Sequence, residues 1–272
     1  AMEIHPNLKG WNQHMTDFLD TLARDAEKTV GEGYYVALEG KHKPRSLKKA
    51  ILEFNYAPII AEIKLASPSL GLIREDTGLG RIASSMRDGG AVAISVLTEP
   101  KNFGGSLGTF IKVRKSVELP LLMKDIIIKH AQIDTAFSIG ADAILLIKAL
   151  FDRGYCECDI SDMIEYAHSK GLEVLLEAHT EDEFSSALDT ESDIVGINNR
   201  DLRTLKVNIN ITRRILRKVD PKRKVVVSES GIMVPQDIRL LHSSGAQAFL
   251  VGSAIMAVDD IEGKVRELVT AL

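Results

Sequence analysis

The chain is poor in cysteine and in aromatic side chains, and it carries no large excess of either charge. Its only cysteines are Cys156 and Cys158, one residue apart in GYCECD. With no second cysteine pair and no paired histidines beside them they make a poor zinc site, and they read as reduced, unpaired thiols in a loop. The seven histidines are scattered, with no HxH or HExxH arrangement, so no metal is expected. A net charge of -4 lacks the strong basic excess of a nucleic-acid binder. The basic stretch Lys41, Lys43, Arg45, Lys48 and Lys49 has no interleaved aromatics and reads as a solvated linker and helix face. No apolar run approaches the roughly 18 residues that span a membrane, and AMEIHPNLKG lacks the apolar core of a signal peptide. The expectation is a cytoplasmic protein without membrane or nucleic-acid partners, in which any anionic substrate is captured by local charge. Monomer and homodimer both remain open.

What is present is a repeat of short aliphatic runs. Those rich in Val, Ile, Leu and Ala cover 59–64, 91–97, 121–124, 143–147, 173–177, 194–197, 225–227 and 248–251, each followed by a stretch of helical periodicity. Their spacing averages about 27 residues, close to the length of a βα unit. Eight such units in 272 residues fit a parallel (β/α)8 TIM barrel. Gly89-Gly90, Gly140 and Gly245 precede strands as helix stops, and Ile261, Val265, Leu268, Val269 and Leu272 form one helical stripe. The barrel is expected to occupy residues 58–272. Residues 1–57 precede it as an N-terminal helical extension able to cap a barrel end, with stripes at Trp11, Met15, Phe18, Leu19 and Leu22 and at Leu47, Ile51 and Phe54.

A barrel carries its chemistry at the carboxyl ends of its strands, and these ends are unusually polar. They hold Glu62 and Lys64, Lys124-Asp125, Glu177, Asn198 and Arg200, Glu229-Ser230-Gly231, and Gly252-Ser253. Glu62 and Lys64 are two residues apart and share a strand face. Two lysines and two or three glutamates in one closed site shift one another's pKa values, which is how acid and base chemistry runs near neutral pH without a metal. Ser67, Gly231, Gly252 and Ser253 offer hydroxyls and backbone N–H groups for a phosphate. The pattern points to a small phosphorylated substrate handled by acid/base chemistry without a metal.

The segments AEIKLASPSLG, SVLTEPKNFGGS, LLMKD, ADAILLI, LLEAHTEDE, GINNRDL, VSESGI and AFLVGSAIM resemble, in order, the motifs of the indole-3-glycerol-phosphate synthase family. The resemblance covers roughly residues 59–256, and LKGW at Leu8–Trp11 resembles the start of that family's extra N-terminal helix. It implies ring closure of 1-(2-carboxyphenylamino)-1-deoxyribulose 5-phosphate with loss of carbon dioxide and water, with no cofactor needed. By position it implies that Lys124 is the general acid and Glu177 the carboxylate that stabilises the cationic intermediate or acts as base. Lys64 then meets the substrate carboxylate, with Glu62 beside it, and can supply a proton during dehydration. Asn198, Arg200, Glu229 and Ser230 orient the substrate and tune these charges. Ser67, Gly231, Gly252 and Ser253 form the phosphate cradle, and Trp11, Pro68, Phe103, Leu146, Leu202 and Leu205 wall the aromatic ring. The chain departs from the family in having Ile126 where a phenylalanine usually follows Lys-Asp, and Leu65 and Ala66 where basic residues commonly follow Glu-x-Lys.

Two other readings stay open on the residues. A barrel aldolase would use Lys124 or Lys64 as a Schiff-base nucleophile and would need that lysine's pKa strongly depressed. A catalytically silent barrel serving as a scaffold would have no need of charges converging at its strand tips.

Overall fold

The computed structural model describes residues 17–37, 42–67, 71–72 and 78–272. Two helices come first, α1 (Phe18–Gly31) and α2 (Leu47–Leu52). Among the described residues, eight parallel strands then close into a barrel. They are β1 (Ile59–Ile63), β2 (Ala93–Leu97), β3 (Leu121–Lys124), β4 (Ala143–Ile147), β5 (Glu173–Ala178), β6 (Ile194–Asn198), β7 (Val225–Glu229) and β8 (Ala248–Val251). Successive strands pair and β8 returns to β1, so the barrel has no open edge. The outer layer holds α3 (Leu79–Asp88), α4 (Leu107–Arg114), α5 (His130–Ser138), α6 (Lys148–Asp152), α7 (Ile160–Ser169) and α8 (Glu181–Leu188). It continues with α9 (Asn210–Lys218), α10 (Pro235–His242), the short α11 (Ser253–Met256) and α12 (Ile261–Val269). This is the (β/α)8 architecture expected from the spacing of the aliphatic runs.

The strands are buried on both faces, which is why they read as unbroken apolar runs. Alternation decides where each side chain goes. On β4, Ala143, Leu145 and Ile147 belong to the apolar interior of the barrel, whereas Ile144 and Leu146 pack outward in the core shared with the helices. Each fully buried aliphatic side chain of this kind contributes on the order of 1.5–3 kcal/mol.

The helices start where the chain supplies caps. Thr180 and Glu183 cap α8 reciprocally, and Asp17 and Asp20 do the same for α1. Of the expected helix stops, Gly90, Gly140 and Gly245 have left-handed backbones, while Gly89 remains right-handed. The stripe on α12 stops at Val269, so Leu272, beyond the helix end, is exposed and not part of the inward face. Phe54 lies just past the end of α2 and packs against the core from there. The expected positions Trp11 and Met15 lie outside the described residues.

The segment before β1 engages both ends of the barrel. At the carboxyl ends, Asp20 of α1 binds Arg153 and Tyr155, Asp25 accepts from Asn102, and Glu27 binds Lys129. The chain then reaches the amino ends, where Ser46 donates to Glu173 and the Lys48 N–H donates to the same carboxylate. Leu47 and Ile51 of α2 are buried and join the interior cluster that holds Ala93, Ala143, Ile194 and Ala248. Asp142, fully buried, fastens this crossing: it meets His42 Nε2 at 2.8 Å, the Arg45 N–H at 2.7 Å, Arg114 Nη1 at 2.8 Å and the Leu121 N–H at 2.7 Å. Removing one partner of such a buried ionic knot leaves the others uncompensated. Asp142→Ala is therefore expected to cost about 3–5 kcal/mol in urea unfolding; a loss below ~1 kcal/mol would show that the knot does not hold the segment in place.

Candidate active site

The barrel's register brings the charges together. Glu62, Lys124, Glu177 and Glu229 stand on β1, β3, β5 and β7, four alternate strands that contribute to one layer of the interior. Lys124 Nζ lies 3.3 Å from Glu229 Oε2 and 3.8 Å from both Glu62 Oε2 and Glu177 Oε2. Lys64, just past the tip of β1, reaches Glu62 Oε1 at 3.2 Å. Two glycines make room for these carboxylates. A Cβ at Gly196 would fall on Glu229 Oε1, and one at Gly252 would lie 2.5 Å from Glu62 Oε1.

Burial and charge oppose one another across this layer. Burial alone would raise the pKa of Glu62, but Lys64 and Lys124 outweigh it and hold the carboxylate below its ordinary range. Burial would strip the proton from Lys124, but Glu229, Glu62 and Glu177 hold the ammonium above the ordinary lysine range. That is the opposite of what a Schiff-base nucleophile needs. Glu229 is pushed up to about 8 by burial, with Glu177 and Glu62 adding repulsion that Lys124 only partly offsets.

Above this layer opens a cavity of about 460 Å³. Its charged and polar lining includes Glu62, Lys64, Lys124, Glu177, Asn198 and Arg200. Ser230, Gly231, Gly252 and Ser253 border it after β7 and β8. Ser230 itself has φ of 67°, a left-handed backbone that costs a non-glycine residue roughly 1–2 kcal/mol. Phe103, Ile126, Leu202 and Leu205 supply apolar walls. Leu205 is also left-handed, at φ 60°, and its carbonyl accepts from Arg200 Nη1 at 3.1 Å. Arg200 is held further by its own N–H, which donates to Asn198 Oδ1 at 2.9 Å. Ile126 thus keeps an apolar wall without an aromatic face.

Two expected residues, Leu146 and Glu229, fall elsewhere. Leu146 does not wall the cavity: it faces the helices, and Leu145 and Ile147 on either side of it line the site instead. Glu229 lies beneath the cavity, fully buried, and acts on it through Lys124. Ser67 sits in a two-residue antiparallel pairing with Gly71, and Trp11 and Pro68 lie outside the described residues.

The structure adds residues that the motifs did not single out. Glu99, buried at the cavity edge, accepts the N–H groups of Lys101, Asn102 and Phe103, which fixes the loop carrying Phe103. Asp125 accepts from Thr98 Oγ1, from the Ile126 N–H at 2.7 Å and from Tyr35 Oη at 2.9 Å. Tyr34 Oη donates to the Thr98 carbonyl and accepts from the Leu107 N–H. A carboxylate followed closely by several loop residues was a legible sign of Glu99; the tyrosines, far away in sequence, gave none. Of the two asparagines in GINNRDL only Asn198 meets the cavity. Asn199 is buried and ties Ser228, the Ser230 carbonyl and Thr212 together.

An eight-stranded βα barrel with an acid/base layer under a cavity, and small residues bordering that cavity after β7 and β8, defines a class of enzymes acting on small phosphorylated substrates. The family described as "Indole-3-glycerol phosphate synthase" matches residues 22–268. An indole-3-glycerol phosphate synthase of Caldanaerobacter subterraneus subsp. tengcongensis is 45% identical over 214 residues, covering 78% of this chain and 79% of the relative. One from Methanocaldococcus jannaschii is 41% identical over 261 residues, covering 94% and 90%. A solved thiamine phosphate pyrophosphorylase from Pyrococcus furiosus shares the fold alone, with 18% identity and a TM-score of 0.56 over 82% of this chain and 96% of that one. The chain belongs to the indole-3-glycerol phosphate synthase family. It is a ring-closing, decarboxylating lyase of tryptophan biosynthesis, which forms the indole ring from 1-(2-carboxyphenylamino)-1-deoxyribulose 5-phosphate with loss of carbon dioxide and water.

The Tyr35–Asp125 contact carries a pH signature. Burial raises the Asp125 carboxyl from its ordinary 3.8 to about 6, against the hydrogen bonds from Thr98, Tyr35 and Ile126. The folded state thus holds the proton more tightly than the unfolded chain, so the cost of burying the ionised carboxylate grows as pH rises through 3.8 to 6 and is complete above that. The Tyr35 hydroxyl offsets that cost only where Asp125 is ionised. Tyr35→Phe should destabilise by about 1.5–3 kcal/mol above this window and by roughly half as much below it, measured by denaturant unfolding at each pH. A loss independent of pH would contradict the assignment.

Proposed function

We propose that the layer of Lys124, Glu177, Glu62 and Glu229 performs the ring closure, with Lys124 as general acid. The observation that carries this is the position of Lys124 at the cavity floor, within 3.8 Å of the side chains of Glu62, Glu177 and Glu229. The ring carbon bearing the substrate carboxylate attacks the keto carbon, and the oxygen of that carbonyl takes a proton from Lys124. The bond to the carboxyl group then breaks, carbon dioxide leaves, and the electron pair restores the aromatic ring. Next the new hydroxyl departs as water with a proton from Lys64, while Glu177 stabilises the cation and accepts the proton lost from the neighbouring CH2. Lys64 also meets the substrate carboxylate before it leaves, and Glu62 holds Lys64. Fixed dipoles in place of water favour loss of the carboxylate, and the two ammonium groups offset charge on oxygen.

Ser67, Gly231, Gly252 and Ser253 are proposed as the phosphate cradle, with Ser230 beside them orienting the substrate, in keeping with the frequent phosphate site after the seventh and eighth barrel strands. Asn198 and Arg200 orient the sugar chain, and Trp11, Pro68, Phe103, Leu202 and Leu205 wall the aromatic ring. Residues 1–57 are proposed as an extension that braces the site and 58–272 as the catalytic barrel, supported by the contacts of α1 and α2 at opposite ends. Among the described residues no helix is long and apolar enough to cross a membrane; a cytoplasmic location is proposed from the biosynthetic role of the family.

The purified protein should generate indole absorbance and fluorescence from the carboxyphenylamino substrate without added metal or nucleotide; silence at saturating substrate would sink the reading. Lys124→Met should lower kcat by on the order of 10²–10⁴ while substrate binding persists. Borohydride added during turnover should leave no covalent adduct, and trapping at Lys124 or Lys64 would instead favour the aldolase.

A further inference from the structure

The reaction has a proton requirement that the site must meet. The departing oxygen acquires two protons on its way to water, one at ring closure and one at dehydration. The CH2 group returns one, and the carboxylate leaves as carbon dioxide carrying none. Each turnover therefore takes up one net proton, and Lys124 is left neutral after its first transfer unless a neighbour reloads it.

Three carboxylates border Lys124, and they are not equivalent. Glu62 has a second cation, Lys64, at 3.2 Å, and also feels Arg200. Glu177 lines the cavity, where it faces the substrate. Glu229 is fully buried on the inner side of Lys124, with Oε2 at 3.3 Å from the ammonium. Its Oε1 lies in the space left by Gly196 and has no hydrogen-bond partner among the described residues. The neighbouring strands offer it nothing ionic: β6 presents Gly196 and Asn198, and β8 pairs Leu250 with it. Across the interior, the charged groups acting on it are Lys124, Glu177 and Glu62. A carboxylate in that place has one oxygen unsolvated and two like charges nearby, both of which favour the neutral acid.

We infer that Glu229 is a protonated carboxylic acid in the resting enzyme and reloads Lys124 after that lysine has protonated the substrate oxygen. The inference rests on Lys124 being the acid of the proposed mechanism. In the reloading step the Glu229 O–H bond breaks and an N–H bond forms on the neutral amine, giving back the ammonium and leaving a carboxylate. Before the next turnover the proton that Glu177 took from the CH2 group restores Lys64 and solvent returns one to Glu229, which accounts for the net uptake of one. The raised pKa of Glu229, about 8, agrees with a proton held at neutral pH. The sign is definite: the stored proton is present below about 8 and lost above it, so kcat should fall as pH rises through that value.

Infrared difference spectroscopy on the intact enzyme with isotope-labelled glutamate tests the protonation state without relying on catalysis. At pH 7 the wild type should show the carbonyl stretch of a protonated glutamic acid, which titrates away near 8. The band should be absent from Glu229→Gln and retained in Lys124→Met. Glu229→Gln should lower kcat by on the order of 10²-fold with KM near that of the wild type, and should lose the alkaline limb of the kcat profile. Absence of the band from the wild type at pH 7, or a Glu229→Gln enzyme with wild-type kcat and alkaline limb, overturns the inference. Failure of Lys124→Met to lose turnover would instead remove the acid role of Lys124 while leaving the infrared result standing.

Discussion

One ammonium group, Lys124, is held among three buried glutamates, and much of the site is arranged around that cluster. The layer exists because side chains two apart on a strand share a face and because alternate strands of an eightfold barrel contribute to one level of its interior. Glu62, Lys124, Glu177 and Glu229 thereby converge without any of them being near another in sequence. Deeper in the same interior lie Ile60, Leu122, Leu175 and Val227, an apolar packing that keeps the local dielectric low and the couplings strong. Gly196 and Gly252 follow from the same constraint. Each sits where a larger side chain would collide with a glutamate, so Gly252, expected as part of a phosphate cradle, also accommodates Glu62.

Around this layer the loops are held by groups that do no chemistry. Glu99 gathers three successive backbone N–H groups and so presents Phe103 to the cavity, while Asp125, next to Lys124 in the chain, is fastened by Thr98 and Tyr35. Tyr34 and Tyr35 belong to the segment that starts in α1 over the strand tips and ends in α2 at the opposite end of the barrel. That crossing links packing at the amino ends to the loops of the active site. The knot at Asp142 secures the lower part of the crossing and the two tyrosines secure the upper part.

Repetition made the barrel legible. Eight aliphatic runs at near-constant spacing leave few alternatives to a closed parallel sheet, and the polar residues closing those runs marked the catalytic end because strand tips in such a barrel all face one way. Lys124, Glu177, Glu62 and Lys64 could be named on that basis, with the family motifs giving their roles. Apolar contacts were harder to place. Leu146 was expected at the substrate and Leu145 and Ile147 were not, because a strand buried on both faces shows no polar alternation from which to read its inward side.

By itself the amino-acid sequence determined the class of fold, the end of the barrel that carries the chemistry and most of the charged residues involved, since these depend on local composition and on spacing along the chain. Tertiary structure alone decided which residue of an apolar run points inward, since that depends on register: Ile147 aligns with Glu177 across the ladder between β4 and β5. It also decided that α1 and α2 reach opposite ends, and that Glu229 lies beneath Lys124 facing a glycine instead of in the cavity. Those facts concern contacts between residues scores of positions apart, and only a closed barrel brings them within reach of one another.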